Sequence, residues 1–150
     1  MITYKKGNLL DTPDMLIAHG CNAQGVMGSG VAKAIRDKYP KAFDDYQQAV
    51  YDFKYPRNHL GRMISSAQPD GRIILNCVTQ DQYGKDGKKY VSYDAIDTCM
   101  NKIQKGMFGL STNVSMPKIG AGLGGGEWSI IEAIINHRLH DYNVTIWTLE

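Results

Sequence analysis

The sequence predicts an α/β protein in which helices cover both faces of a mainly parallel β-sheet. Two observations support this fold class. Strand-like and helix-like segments alternate along the chain, and two glycine-rich segments each connect a strand to a helix. Because parallel strands are joined by helical crossovers, this alternation favours a three-layer α/β/α arrangement. The 150 residues suit one domain, and we expect a single domain over residues 1–150.

The first half of the chain begins with two strands and two helices. Alternating, β-branched residues predict the first strand, and the apolar run from Met15 to His19 predicts a buried second strand. Apolar residues at helical spacing predict a first helix that ends at Pro40, followed by a second helix. The segments, in order, are ITYKKG, MLIAHGCN, GSGVAKAIRDKYP and KAFDDYQQAVY.

The second half continues the alternation after a hairpin. Two strand-like segments flank the turn signal PDG, and a polar glycine-containing loop follows. An amphipathic helix, a strand, the second glycine-rich segment, a last helix and a last strand complete the pattern. The segments are LGRMISSAQ, RIILNCVTQ, VSYDAIDTCMNKIQKGM, NVSMPKIG, EWSIIEAIINHRLHDY and VTIWTLE.

Composition and charge argue against several classes of protein. The net charge is +2, from 17 Lys and Arg against 15 Asp and Glu, which is too balanced for a general nucleic-acid-binding surface. No apolar stretch approaches the roughly 20 residues that span a bilayer, and we expect neither a signal peptide nor membrane association. The three cysteines form no CxxC pair, which favours a reduced, cytoplasmic protein without a metal site or cofactor.

The two glycine-rich segments indicate a phosphate ligand. HGCNAQGVMGSG covers residues 19–30, and MPKIGAGLGGGEW covers 116–128, with five glycines from Gly120 to Gly126. Each precedes a helix N-terminus, where free backbone N–H groups attract phosphate, so two such loops suggest a diphosphate between them. The second segment also matches GxGxxG, but only one helix and one strand follow it, which weakens a dinucleotide-binding interpretation. The chain contains no GxxxxGK[ST] motif.

Three motifs together resemble the macro domain, a fold that binds ADP-ribose. They are KGNLL, HGCNAQGVMGSGVAKAIRDKYP and MPKIGAGLGGGEW, which occur in that order and span nearly the whole chain. The resemblance is to the small Appr-1″-p processing proteins, which include yeast-type ADP-ribose-1″-phosphate phosphatases and terminal ADP-ribose glycohydrolases. It implies a mixed, mainly parallel central sheet and ADP-ribose or ADP-ribose-1″-phosphate as ligand.

The resemblance also implies roles for individual residues. Asn8 stands where macro domains carry the adenine-binding Asp, and the backbone N–H of Leu9 would meet an adenine ring nitrogen. Asn22 matches the asparagine that binds the distal ribose, while Trp128 would either form a wall of the site or pack in the core. The remaining substrate-binding candidates belong to the two phosphate loops, 24–30 with the following valine and 119–126: Gln24, Gly28, Ser29, Gly30, Val31, Ile119, Gly120, Ala121, Gly122, Leu123 and Gly124.

The same resemblance also predicts which residues could be catalytic. The glycohydrolases carry a lysine where this chain has Gln80 and an acidic partner where it has Gly124, so lysine-adduct chemistry is not expected. The yeast-type phosphatase has a histidine in the register of His19, whose ring could transfer a proton or attack phosphorus. Asp81, just beyond the same sheet edge, could orient a water or the imidazole. A satisfied buried histidine and a solvated carboxylate are the alternatives for these two residues.

The predicted reaction is metal-independent removal of the 1″-phosphate from ADP-ribose-1″-phosphate. A second hypothesis is removal of ADP-ribose from protein or nucleic acid by a bound water. A third is a reader that binds ADP-ribose without chemistry. We expect a monomer whose partners are ADP-ribose ligands and, in the second hypothesis, ADP-ribosylated macromolecules. The charged, tyrosine-containing loop at 81–94 would reach over the distal ribose, interact with a partner or lie solvated at the surface.

Overall fold

The computed structural model describes residues 1–52, 59–106 and 111–149. Its six strands are β1 (Ile2–Lys6), β2 (Leu16–Asn22), β3 (Met63–Ala67), β4 (Ile73–Gln80), β5 (Asn113–Pro117) and β6 (Asn143–Thr148). Its four α-helices are α1 (Gly30–Lys38), α2 (Pro40–Asp52), α3 (Tyr93–Gly106) and α4 (Trp128–Arg138), and a 3-10 turn covers Leu9–Asp11. The predicted order of elements is confirmed. The predicted helix end at Met107 and strand end at Glu150 lie outside the described residues.

The strands form one mixed sheet in the order β1-β6-β5-β2-β4-β3. Every pairing is parallel except that of β3 with β4. This antiparallel pair is the hairpin that the PDG signal predicts, and Gly71 makes the turn with a φ of +92° that favours glycine. The carboxyl ends of β2, β4 and β5 therefore lie together at the centre of one edge.

Helices cover the sheet on both faces, which confirms the three-layer α/β/α prediction. On one face, α3 and α4 bury Ile96, Ile103 and Ile131 against apolar residues of β2, β4, β5 and β6. On the other face, α1 and α2 bury Ile35 and Tyr46 against β2 and β4. Within the described ranges, no helix combines the length and the apolar character that a membrane span requires.

Strand β2 extends further than its apolar run predicts. The run ends at His19, yet β2 stays paired with β4 until Asn22 lies opposite Gln80. The polar atoms at this end find partners on β4 and on α2, so the strand continues through residues that resemble a turn in the sequence. This extension brings Asn22 to the edge where β4 and β5 end.

Candidate ligand-binding cleft

An open cleft of about 890 Å³ lies at the carboxyl ends of β2, β4 and β5. Its walls come from four segments: the end of β2 with the following loop, the end of β4, the loop after β4, and the loop between β5 and α4. We call the 22–30 segment the first loop and the 118–127 segment the second loop. The lining positions are 20–22, 26–32, 79–80, 83–85, 117–124, 126 and 128.

The structure brings most of the predicted binding residues together in this cleft. Those that line it are Asn22, Gly28, Ser29, Gly30, Val31, Ile119, Gly120, Ala121, Gly122, Leu123, Gly124 and Trp128. Asn8, Leu9 and Gln24 do not line it, and neither do His19 and Asp81. The structure gives the positions of these residues, and their contacts with a ligand stay predictions.

The first loop is held in shape by the side chain of Asn22. Its Oδ1 accepts the N–H of Gln24 at 2.9 Å, and its Nδ2 donates to the carbonyl of Val26 at 2.9 Å. The Tyr46 hydroxyl, from α2, donates to the carbonyl of Asn22 at 2.6 Å and accepts the N–H of Gly25 at 3.1 Å. Asn22 therefore uses its amide within the loop, and this arrangement supports a shaping role more directly than the predicted ribose contact.

Beyond this network the first loop presents unpaired backbone donors to the cleft. Among the described residues, the N–H groups of Gly28 and Ser29 have no hydrogen-bond partner. Ser29 is the N-cap residue of α1, yet its side chain makes no capping hydrogen bond. Because the first turn of a helix leaves its N–H groups unsatisfied, α1 adds further donors and a positive dipole end at this wall.

The glycines of the second loop serve two different purposes. A Cβ on Gly124 would lie 2.7 Å from the carbonyl oxygen of Gly120, and one on Gly125 would lie 2.5 Å from that of Lys88. A Cβ on Gly126 would lie 2.7 Å from a methyl of Val91, whereas one on Gly122 would meet no atom within 4 Å. Close packing therefore requires glycine at 124, 125 and 126 whether or not a ligand is bound, because backbone and core atoms fill the space that a Cβ would need. The contact of this loop with a diphosphate stays a prediction. Only Gly122 keeps its open side without such a packing requirement.

The loop after β4 is hydrogen-bonded to the second loop. The N–H groups of Tyr90 and Val91 donate to the carbonyl of Gly124 at 2.7 and 3.0 Å. At its start, the carbonyl of Asp81 accepts the N–H of Ala23 at 3.1 Å. Between these anchors, positions 83–85 line the cleft. The loop thus forms part of a cleft wall. Its predicted reach over a distal ribose stays a prediction.

The prediction that His19 faces the cleft is wrong. Side chains alternate along a strand, and in β2 the side chain of His19 turns toward α1 and α2, where it is 1% exposed. Its Nε2 lies 2.6 Å from Oδ1 of Asn76, and burial lowers the pKa of the ring from 6.5 to about 4, against the smaller opposing effect of that hydrogen bond. The imidazole is a satisfied, neutral core group, which was the structural alternative for this residue.

Cys21, His19 and Asn76 lie close together but do not form a nucleophilic triad. Sγ of Cys21 is 3.6 Å from Nε2 of His19, the same nitrogen that bonds Asn76. In a working triad one ring nitrogen faces the nucleophile and the other faces the orienting group. Burial also raises the pKa of the Cys21 thiol well above its usual range, which disfavours the thiolate.

Asp81 lies at the rim rather than in the cleft. Its side chain is exposed, and its Oδ1 and Oδ2 accept from Nε2 of Gln24 at 3.4 Å and Nε2 of Gln82 at 3.2 Å. Gln24 also donates to the carbonyl of Asp81 at 3.1 Å. The hydrogen bonds between Gln24 and Asp81 therefore connect the first loop to the loop after β4, next to Gln80 on the cleft wall.

The proposed adenine end lies at the other end of the same sheet edge. Asn8 follows β1 and caps the 3-10 turn, where its Oδ1 accepts the N–H of Leu10 at 2.9 Å. The Leu9 side chain is buried in the core. Trp128 fits both alternatives, since its ring lines the cleft and also packs against the core, and its Nε1 donates to the Tyr4 hydroxyl at 2.8 Å.

Five cleft residues that the motif comparison did not assign as binding residues carry polar or aromatic groups. They are Thr79, Gln80, Tyr83, Lys85 and Lys118. Thr79 is fully buried beneath Gly20, and its hydroxyl has no hydrogen-bond partner in the described part of the chain. A Cβ on Gly20 would lie 2.9 Å from that hydroxyl, so this glycine is required by close packing at the cleft floor. The predicted strand RIILNCVTQ ends at Gln80, and this end is the sequence signal that could have placed Thr79 and Gln80 at the cleft.

Comparison with known proteins places this geometry in a family. The model of the Macro domain family matches residues 18–135. An uncharacterized 17.5 kDa protein from the tk-vs intergenic region of Enterobacteria phage T4 is 32% identical over 155 residues, which cover 91% of this chain and 88% of that protein. An ADP-ribose 1″-phosphate phosphatase of Candida albicans is 27% identical over 170 residues, covering 97% and 99% of the two chains.

Two further matches involve mycobacterial proteins. A DNA ADP-ribosyl glycohydrolase of Mycobacterium tuberculosis is 29% identical over 136 residues, which cover 88% of this chain but 37% of that protein. The solved macrodomain of M. tuberculosis DarG superposes with a TM-score of 0.80 at 27% identity, covering 98% and 97% of the two chains. The family match over most of the chain, the three-layer fold and the two loops at the sheet edge agree, and this chain belongs to the macro domain family.

Proposed function

We propose that this chain binds ADP-ribose in the cleft and hydrolyses the phosphate ester of ADP-ribose 1″-phosphate. The observation that carries the proposal is a pair of loops that both line the cleft and both contain backbone N–H groups without a hydrogen-bond partner among the described residues. In the first loop these belong to Gly28 and Ser29, and in the second to Gly122 and Leu123, none of which has a partner among the described residues. A diphosphate supplies the acceptors that such a pair of donor sets requires.

The charge of the cleft supports a ligand with several phosphates. Among the described residues, its lining includes Lys85 and Lys118 and no aspartate or glutamate. A ligand with several phosphates therefore finds N–H donors in the loops and an ammonium group on either side of them, without a carboxylate among these lining residues to repel it. Relatives named ADP-ribose 1″-phosphate phosphatase, such as that of Candida albicans, favour the phosphatase reaction.

The reaction that we propose uses water as the nucleophile. Water attacks phosphorus, the bond between phosphorus and the 1″ oxygen breaks, and the proton that the attacking water loses is balanced by the proton that the leaving oxygen takes up from solvent, which gives ADP-ribose and inorganic phosphate. The cleft would contribute positioning and the N–H donors that stabilise charge on the phosphoryl oxygens. With His19 turned into the core, Asp81 at the rim is the carboxylate that we propose to orient the water.

Three measurements test this proposal. Calorimetry with ADP-ribose measures binding, and release of inorganic phosphate from ADP-ribose 1″-phosphate measures the reaction. The Asp81→Asn variant should lower kcat by about 10²–10⁴-fold, the usual effect of removing a general base. Asp44→Asn is the matched control, since that carboxylate is also exposed but lies on α2, outside the cleft lining.

The outcomes separate the alternatives. Absence of ADP-ribose binding contradicts the proposal as a whole. Binding without phosphate release, but with release of ADP-ribose from modified DNA or protein, favours the ADP-ribosyl hydrolase, which the M. tuberculosis relative's name supports. Binding without either reaction favours the reader, which the absence of imidazole and carboxylate groups from the cleft lining supports.

A further inference from the structure

The two lysines of the cleft lie at different positions along the sheet edge. Lys118 follows β5, on the side nearer to β1 and Asn8, whereas Lys85 follows β4 on the far side of β2. With the diphosphate between the two loops and adenine toward Asn8, the distal ribose lies toward β4. Lys85 therefore stands at the end of the cleft where a substituent on that ribose would emerge.

The ammonium group of Lys85 has no competing counter-ion in the described part of the chain. Its neighbour on the same loop, Lys88, lies 3.9 Å from a carboxylate oxygen of Asp86. Lys85 forms no ion pair with a described residue, and no carboxylate belongs to the part of the cleft lining that the structure describes. Lys118 differs from both, because its ammonium lies 6.0 Å from the centre of the Trp128 ring.

The backbone that carries Lys85 is fixed on both sides. The Asp81 carbonyl is bound by the first loop, and the N–H groups of Tyr90 and Val91 are bound by the second. Between them the Tyr90 hydroxyl donates to both carboxylate oxygens of Asp86, at 2.8 and 2.9 Å. The backbone of Lys85 is therefore held at the cleft wall, while its exposed and flexible side chain can extend the ammonium group toward a ligand.

We propose that Lys85 selects ligands with a phosphate on the distal ribose over ligands whose substituent there is neutral. This inference rests on the proposed function, because it assumes that ADP-ribose occupies the cleft with its distal ribose toward β4. The ammonium group binds the additional phosphate, while the diphosphate is bound by the loops. Lys85 thereby determines the substrate class without contributing to the affinity for ADP-ribose itself.

The test compares three ligands on four proteins. The ligands are ADP-ribose, ADP-ribose 1″-phosphate and ADP-ribose esterified to a glutamate of a peptide. The proteins are the wild type, Lys85→Gln, Lys118→Gln and Lys88→Gln, the last being the matched control on the same loop. Affinity is measured by competition calorimetry, together with kcat/KM where a ligand is turned over, at low ionic strength and at 0.5 M salt.

Lys85→Gln should weaken ADP-ribose 1″-phosphate by about three- to tenfold at low ionic strength, as expected for a partly solvated ion pair. Its affinity for ADP-ribose and for the peptide ester should stay within twofold of the wild type, and the loss should shrink in high salt. Lys118→Gln should weaken the binding of all three ligands similarly, and Lys88→Gln should leave the binding of all three unchanged. Because the readout is a ratio between ligands, a general loss of folding does not imitate the result.

An equal loss for all three ligands in Lys85→Gln, or no loss for any, overturns the inference while ADP-ribose binding by the wild type still stands. Failure of the wild type to bind ADP-ribose overturns the proposed function instead. A wild type that prefers the peptide ester over the 1″-phosphate also overturns the inference.

Discussion

The two loops of the cleft both contain N–H groups without a described partner, but different interactions hold each loop in shape. The first loop is shaped by polar side chains, with Asn22 and Tyr46 at its centre, and it stands on a buried layer that contains His19 and Asn76. The second loop is shaped by the absence of side chains, and its glycines pack against the 88–91 backbone and against Ile96 and Ile131. Both loops present N–H groups to the same cleft.

This difference separates the residues that build the cleft from those that would face a ligand. At Asn22 and Tyr46, which shape the first loop, a substitution acts through hydrogen bonds that can be lost singly. In the second, it acts through steric overlap, except at Gly122, where space is open. The four predictions that follow test this contrast, from the largest expected effect to the smallest.

The largest effect is expected within the second loop. Gly125 has a φ of +71°, and a Cβ there would lie 2.5 Å from the carbonyl oxygen of Lys88. Gly125→Ala should lower the free energy of unfolding by about 2–5 kcal/mol, since left-handed backbone costs about 1–2 kcal/mol and overpacking about 1–3 kcal/mol. Gly122→Ala should leave stability within about 0.5 kcal/mol of the wild type. Urea unfolding measures both, and equal effects on stability would contradict the assignment of packing to one glycine and open space to the other.

The polar layer beneath the first loop should be sensitive to acid. Because folding lowers the pKa of His19 from 6.5 to about 4, the folded state binds fewer protons than the unfolded state between these values. Its contribution to stability is complete above pH 6.5 and is lost as the pH falls toward 4, by about 3 kcal/mol in all. Urea unfolding from pH 7 to 4 should show this loss in the wild type and a shallower one in His19→Gln. Parallel curves would show that the ring is not a neutral core group.

Within the first loop, the Tyr46 hydroxyl should contribute to both stability and ligand affinity. Tyr46→Phe removes the donor to the Asn22 carbonyl and the acceptor for the Gly25 N–H, at an expected cost of about 1–3 kcal/mol. ADP-ribose affinity should fall as well, because the loop loses its fixed shape. Tyr39→Phe is the matched control, since that hydroxyl donates to Asp70 and lies outside the cleft lining. If ADP-ribose affinity fell equally in both variants, the hydroxyl of Tyr46 would have no special role in the loop.

The smallest effect is expected outside both loops, at Asn8. Asn8→Asp should strengthen ADP-ribose binding several-fold, because a carboxylate accepts from the adenine amino group about twice as strongly as a neutral amide oxygen. Asp is also a good N-cap residue, so the 3-10 turn should be retained. Ribose 5-phosphate, which lacks adenine, should bind both proteins alike. If calorimetry found both ligands strengthened equally, Asn8 would not lie at the adenine.

The sequence by itself determined the order of strands and helices, because hydrophobic periodicity and turn residues are local properties of the chain. It also placed both glycine-rich loops at the carboxyl ends of strands, since every crossover in an α/β sheet returns the chain to the same edge. What it left open were the positions that depend on residues distant in sequence. The apolar run before His19 does not reveal that β2 continues to Asn22, which β4 and Tyr46 on α2 stabilise.

Only the tertiary structure decided which residues face the cleft. His19 and Gly20 are neighbours in the chain, but the alternation of a strand turns the first into the core and leaves the second on the cleft wall. The glycines of the second loop look equivalent in the sequence, yet the 88–91 backbone lies against Gly125 and not against Gly122. A side chain's role at this edge depends on which distant backbone fills the space around it, and that contact forms only when the loop after β4 folds across the second loop.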